Sequence, residues 1–411
     1  MPGSISRSST GSMQDVSIAT INPTGVQLRL IGEAKVISNL LREIIHQLGY
    51  LIQREIDYCR IKPRDALFFI TYRCTSCCRT CTMWQRGKAG EELSLAEWQR
   101  ATDMCHELGV KYIELFGGDA LLRKDVVVPL VAHIKKYPIQ VDLVTNCNLM
   151  DQATAVGIVQ AGLDDLWLSI DGVGENHDRV RGEGGSFSNV LACIEAVKKA
   201  RGEKKKPLLH CNTTISRFNV DAFEKILSFA EESGLDFMHL EYAGEFLPEM
   251  VSQARINGIE PRPYYISQGD SILVDQTQAH MLRTKVRQLK KEARRMKINL
   301  MTENIDCLKV ENLVAGEFGN KKCYIARFKV AIDPYGNILP CPFFGDYHLG
   351  NIKKEQIQQI WKNERHLSFV RNLIKIWPVF CRHCILGVQR NRTFWQLLQD
   401  RTRDLLGRPQ K

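Results

Sequence analysis

The stretch Cys74-Thr75-Ser76-Cys77-Cys78-Arg79-Thr80-Cys81 constrains this chain more than any other. It follows an apolar run, Ala66 to Ile70, that reads as a buried strand, so the cysteines fall on the loop leaving that strand's C-terminal end. Cys74, Cys78 and Cys81 form Cys-x3-Cys-x2-Cys, three thiolates able to hold three irons of a [4Fe-4S] cluster and leave the fourth open. An open iron can take a substrate or a cofactor. Zinc is the competing reading, but a structural zinc site wants four ligands, and no fourth Cys or His lies within the loop outside Cys77, which is adjacent to Cys78 and is expected to point elsewhere. A packed core would also absorb cysteines, although a loop after a strand is the wrong place for it.

A chain of 411 residues suggests a large α/β domain plus a smaller unit. Its fourteen cysteines, with no secretory signal and no long apolar span, indicate a reduced, cytoplasmic protein that uses thiolates as metal ligands. The net charge of +10 arises from 56 basic and 46 acidic residues interspersed along the chain. Without a recognisable binding motif, this reads as a solvated basic surface, and no nucleic-acid partner is expected.

Residues 1–30 are rich in Ser, Gly and Thr and read as a disordered tail. Within 31–63, Ile37, Leu41, Ile44, Leu48 and Leu51 recur at helical spacing, predicting an amphipathic helix that packs on the catalytic domain. Membrane-surface contact is disfavoured because the polar face of that helix carries few Lys or Arg. From 64 to 303, strands and helices alternate. The strand before the cysteines is followed by Tyr112 to Phe116, Val141 to Thr145, Leu166 to Ile170, Leu208 to Thr214 and Phe237 to Glu241, and Ile298 to Thr302 offers a further strand. Six βα repeats predict an α/β fold, an open partial (βα)6 TIM-like barrel with ligands at the C-terminal strand ends. A very basic helix is expected over 278–297, with a solvated face or an acidic electron-transfer protein as its counterpart.

Residues 304–388 change character. Cys323 precedes a strand, Phe328 to Ile332, then the turn Asp333-Pro334-Tyr335-Gly336-Asn337 and a second strand ending at Cys341, and Cys381-Arg382-His383-Cys384 supplies a close pair. This small C-terminal β-hairpin and helix extension therefore carries four cysteines, a complete set that zinc and an iron-sulfur cluster fit equally on spacing alone. A basic tail, 389–411, closes the chain.

Taken in order, these motifs resemble the radical S-adenosylmethionine (radical SAM) family. The three-cysteine loop is followed by Gly117-Gly118-Asp119 after the second strand, where the family has Gly-Gly-Glu. Thr145-Asn146 ends the third strand and Ser169-Ile170-Asp171-Gly172 the fourth. Cys323, Gly336, Cys341, Cys381 and Cys384 resemble the auxiliary-cluster extension called SPASM, in its one-cluster "twitch" form. The resemblance implies a core over 64–303, an auxiliary-cluster domain over 304–388, two [4Fe-4S] clusters and S-adenosyl-L-methionine. It implies that Cys74, Cys78 and Cys81 bind the catalytic cluster, and Cys323, Cys341, Cys381 and Cys384 the auxiliary one. Gly117 and Gly118 would let the backbone approach the cofactor, Asp119 would pair with its ammonium, and Thr145, Asn146 and Ser169 would contact it elsewhere. Departures are Asp119, one methylene shorter than Glu, and Cys147, where a glycine is usual.

In that family a reduced cluster splits the sulfonium into methionine and a 5′-deoxyadenosyl radical, which removes hydrogen from an unactivated carbon. Oxidation of the product radical through the auxiliary cluster is the first expectation. Transfer or rearrangement is an alternative, and a non-catalytic zinc-binding scaffold is the alternative from another class. Asp171, Arg181, Glu241 and Glu303 are candidates for substrate contact or proton removal, with a salt-bridge role as the plain reading for each. No peptide-recognition domain is evident at the N-terminus, which favours a small molecule, sugar or lipid over a peptide, and a ferredoxin- or flavodoxin-type donor is expected.

Overall fold

The computed structural model describes residues 62–87, 90–267, 269–296, 298–306, 308–319 and 323–388. The expected disordered tail, all but the last two residues of the 31–63 helix region, and the tail 389–411 lie outside the described residues.

The expected strands form as β1 (Asp65–Thr71), β2 (Tyr112–Gly117), β3 (Gln140–Thr145), β4 (Asp165–Ser169), β5 (Leu208–Ile215) and β6 (Phe237–Tyr242). A short β7 (Asn299–Met301) follows the basic helix Gln276–Met296. All seven pair in parallel and in chain order. Parallel neighbours need crossovers, supplied here by helices such as Leu95–Leu108, Lys124–Ile134, Gln152–Ala161 and Ser186–Arg201. The first of these shows why they start and stop where they do. Ser94 and Glu97 close a capping box at its start, and Gly109, at φ 98°, ends it in the left-handed conformation.

The C-terminal hairpin extends the same sheet. β8 (Lys329–Ile332) pairs in parallel with β1, β9 (Asn337–Leu339) runs antiparallel to β8, and β10 (Gly350–Asn351) antiparallel to β9. The result is one open ten-stranded sheet, a partial TIM-like barrel, in the order β10-β9-β8-β1-β2-β3-β4-β5-β6-β7. β1 is the first strand of the barrel, and its outer edge would otherwise leave a row of backbone groups unpaired.

Strand alternation divides the sheet into two faces. Ile113, Leu115, Val141, Leu143, Leu166, Leu168, Leu209, Cys211, Met238 and Leu240 are fully buried in the core. The alternate residues make a polar concave face. Its floor joins Asp142 to the Tyr112 hydroxyl and, at 2.8 Å, to Trp167 Nε1, and Trp167 stacks on His210 with centroids 4.2 Å apart. On the same face Ser169, Thr214 and Glu241 stand at the C-terminal ends of β4, β5 and β6, and Glu114 lies beside Asp142 in the β2–β3 register. Among the described residues no helix is long and apolar enough to cross a membrane.

Candidate active site

β1 hands the chain to Tyr72-Arg73-Cys74, and Glu92 fixes this exit. The Thr71 hydroxyl donates to Glu92 at 2.6 Å, while Arg73 and Arg123 approach the same carboxylate at 3.0 and 3.2 Å. The end of β2 lies backbone to backbone against it. Gly118 N–H donates to Thr71 O at 2.9 Å and Asp119 N–H to Arg73 O at 2.8 Å. A Cβ on Gly117, at φ 150°, would fall 2.3 Å from Thr71 O, and one on Gly118 would fall 2.2 Å from Arg73 O. The two glycines therefore make room for the loop that carries the cysteines, a closer reason for them than approach to a ligand.

A polar lock, much of it unseen from the sequence, holds the loop from the other side. Asn146 Nδ2 donates to Thr75 Oγ1 at 2.9 Å and Ser76 Oγ at 3.1 Å, and lies 3.9 Å from Cys74 Sγ. Asn148 Nδ2 donates to the same two hydroxyls and, at 2.6 Å, to Glu183, which also accepts from Ser76. Cys147 between the two asparagines sits at φ 72°, which explains the glycine usual there. Thr145 Oγ1 accepts from Cys147 N–H at 3.0 Å, a strand-end bond to the backbone. Asp119 is buried, accepts from Thr75 at 2.8 Å and from Leu121 N–H at 3.1 Å, and burial pushes its carboxyl up. Ser169 is partly open, and among the described residues its hydroxyl has no hydrogen-bond partner.

Buried Asp171 and part-buried Arg181 form an ion pair at 2.9 Å, and Asp171 also accepts from Thr214 N–H at 2.8 Å. Arg181 Nη1 donates to Cys78 Sγ at 3.7 Å. Glu241 stands opposite Thr214 in the β5–β6 register, and burial, then the charges of Asp171 and Glu114, push its carboxyl up to about 7. Glu114 itself is paired with Lys329 at 3.0 Å. The Glu303 side chain lies outside what the structure describes.

Burial raises the Cys74 thiol to about 11 and Cys81 to about 12, and pushes Cys78 up as well. Thiols this desolvated ionise at neutral pH only if a bound metal centre supplies the compensating charge, so the set fits a cluster. Cys77 is exposed, and its thiol donates to Gly182 O at 3.1 Å.

Cys323, Cys341, Cys381 and Cys384 line one apolar cavity with Ile325, Phe344, Phe369, Trp377 and Phe380. Burial, then neighbouring Cys323, raises Cys341 to about 12 and pushes the Cys381 thiol well up too. Tyr264 and Tyr265, which the sequence did not single out, link the two cysteine sets. Thr82 N–H donates to Tyr264 O at 2.9 Å, the Tyr264 ring lies 5.0 Å from Phe343, and Phe343 lies 5.9 Å from Phe380, the neighbour of Cys381. Burial first, with Cys81 and Cys384 both contributing, raises the two phenols.

The model of the radical SAM superfamily matches residues 68–230, and that of an iron-sulfur cluster-binding domain, SPASM, matches 323–385. A PqqA peptide cyclase of Granulibacter bethesdensis is 30% identical over 187 residues, 44% of this chain and 48% of that protein. The chain thus aligns with about half the length of that relative. An AdoMet-dependent heme synthase of Methanosarcina barkeri is 27% identical over 279 residues, 66% of this chain and 74% of that protein. Among solved structures, Streptococcus suis SuiB bound to precursor peptide SuiA is similar with TM-score 0.56 at 15% identity, covering 90% of this chain and 75% of that one. This likeness is one of fold.

The expectation of a small molecule, sugar or lipid over a peptide is corrected by these matches, since PqqA peptide cyclase and peptide-bound SuiB stand among them. The expectation rested on the lack of a recognition domain at the N-terminus, outside the described residues, and on no property of the cavity. Zinc at the four-cysteine set gives way to an iron-sulfur cluster, the group named by the matching domain.

Proposed function

Because the chain belongs to the radical SAM superfamily and carries a SPASM iron-sulfur domain, we propose that this enzyme oxidises a residue of a peptide by removing two hydrogens, with its auxiliary cluster as electron acceptor. Its cofactors are S-adenosylmethionine and [4Fe-4S] clusters, one catalytic and one auxiliary. Cys74, Cys78 and Cys81 would hold the first, and Cys323, Cys341, Cys381 and Cys384 the second. When bound, the first cluster and S-adenosylmethionine supply an adenosyl radical that takes a hydrogen atom from carbon.

The observation that carries the oxidative reading is Glu241. Asp171 is committed to Arg181 and Glu114 to Lys329, whereas Glu241 has no ion-pair partner among the described residues and is poised near neutrality to take the proton that leaves with the second electron. Tyr264 packs against Phe116 and Tyr265 with ring centroids 6.1 and 4.7 Å apart, an aromatic group that would help to keep water from the reacting carbon. Bond formation within the peptide is the competing outcome, favoured by the match to a peptide cyclase.

The test is anaerobic incubation of the reconstituted chain with S-adenosylmethionine, a reductant and a fractionated peptide pool. A peptide lighter by two hydrogens, formed in step with 5′-deoxyadenosine, supports the proposal, and tandem mass spectrometry separates an oxidised residue from a crosslink. Production of 5′-deoxyadenosine only in step with non-peptide metabolites would overturn it.

A further inference from the structure

We propose that Arg181 and Asp171 act as an opposed pair that sets the reduction potential of the catalytic cluster, the guanidinium raising it through Cys78 and the carboxylate holding that rise in check. This rests on the assignment of Cys74, Cys78 and Cys81 to that cluster.

The geometry starts in the backbone. Arg181 is the last residue of the helix Glu175–Arg181, where a cation is favoured by the helix dipole. That helix end is fastened to the cysteine loop. Arg79 N–H donates to Val180 O at 2.9 Å, Cys77 Sγ donates to Gly182 O at 3.1 Å, and a Cβ on Gly182, at φ 67°, would come within 2.4 Å of Cys77 O. The long arginine side chain therefore has little freedom in where it starts. Its Nη1 reaches Cys78 Sγ at 3.7 Å, its Nη2 reaches Asp171 at 2.9 Å, and its Nε is buried with no hydrogen-bond partner among the described residues. Asp171, 1% exposed, is fixed in turn by Thr214 N–H at 2.8 Å.

A charge placed this way is poorly screened, because Asp171 is buried and the Arg181 side chain is only 13% exposed. Adding an electron to a cluster makes it more negative, so a fixed cation at a ligating sulfur favours the reduced state, and N–H···S contacts are among the protein's means of setting cluster potentials. A carboxylate 2.9 Å from the same guanidinium offsets part of that field. The two residues thus act through Cys78 as positioning residues, and removing them should move the potential in opposite directions.

The test is a spectroelectrochemical titration, read by EPR, of the anaerobically reconstituted full chain without peptide. The variant with Cys74, Cys78 and Cys81 all replaced by Ala identifies the signal of the second cluster. At the potential where the wild type is half reduced, Arg181→Gln should raise the oxidised-to-reduced ratio about tenfold, a midpoint lower by about 59 mV. Arg181→Lys, which keeps the charge, should recover most of this, and Asp171→Asn should shift the midpoint upward. Equal midpoints in all variants, or shifts of one sign for both residues, would overturn the proposal, since a packing fault has no reason to change sign with charge. Should Arg181→Gln fail to take up iron, Asp171→Asn decides alone, a rise supporting the pair and no change or a fall refuting it. If the first signal survives the triple alanine variant, the ligand assignment fails instead.

Discussion

The Thr75 hydroxyl donates to Asp119 Oδ2 at 2.8 Å, tying the residue after Cys74 to the residue that closes the Gly117-Gly118-Asp119 turn. Asp119 thus braces the cysteine loop while keeping acceptor capacity for the cofactor's ammonium. Asp119→Asn is expected to weaken S-adenosylmethionine binding by about 1.5 to 3 kcal/mol, the range for hydrogen bonds to charged groups, and Thr75→Val by about 1 kcal/mol. Calorimetry on the reconstituted protein measures both. Unchanged affinity in Asp119→Asn would show that the carboxylate serves the loop alone.

Replacing Cys74, Cys78 and Cys81 together by Ala should abolish 5′-deoxyadenosine formation while iron remains at the second site. Cys77→Ala should leave iron content unchanged, because that exposed thiol is engaged with Gly182 O. Cys341→Ala should still permit cofactor cleavage but stop oxidation of the peptide, if the second cluster takes the electron. A structural role would show instead as lost protease resistance of residues 323–388, because ligation free energy is folding free energy in small metal domains.

The Glu241 carboxyl is raised to about 7 by burial and then by Asp171 and Glu114. A proton acceptor must be ionised, so peptide oxidation should rise with pH through about 7 and level off above it. Glu241→Gln should lose about 100-fold or more of oxidised peptide and flatten the profile, while 5′-deoxyadenosine formation persists. Stability runs the other way. A raised carboxyl contributes stability that is present below its ordinary value of 4.5 and is lost as pH rises through about 7. Urea unfolding of the wild type should therefore fall over this window relative to Glu241→Gln, and parallel curves would mean that the group is not perturbed.

Gly118→Ala would drive a methyl group to 2.2 Å from Arg73 O, a backbone atom that cannot rotate away. Overpacking of this kind costs about 1 to 3 kcal/mol, and here it strikes the turn leading to Cys74. Thermal unfolding should shift downward and iron uptake should fall with it. A variant with wild-type iron content and an unchanged transition would show that the two backbones can part without cost.

The sequence by itself determined the parallel barrel and the cysteine sets. Both are local signals, strand periodicity repeating with each βα unit and ligand spacings confined to single loops or to a hairpin and a close pair. What only the tertiary structure decided is where distant segments meet. No short-range pattern tells β8 to complete the open edge of β1, brings Asn148 and Glu183 to Ser76, or places Tyr264 between Thr82 and Phe343. Nor does it reveal that Gly117 and Gly118 yield to the chain's own backbone, or that Asp171 and Arg181 meet each other at Cys78 while Glu241 has no ion-pair partner among the described residues. Those outcomes depend on burial and on which charges the packed sheet forces together, quantities that exist only once the chain is folded.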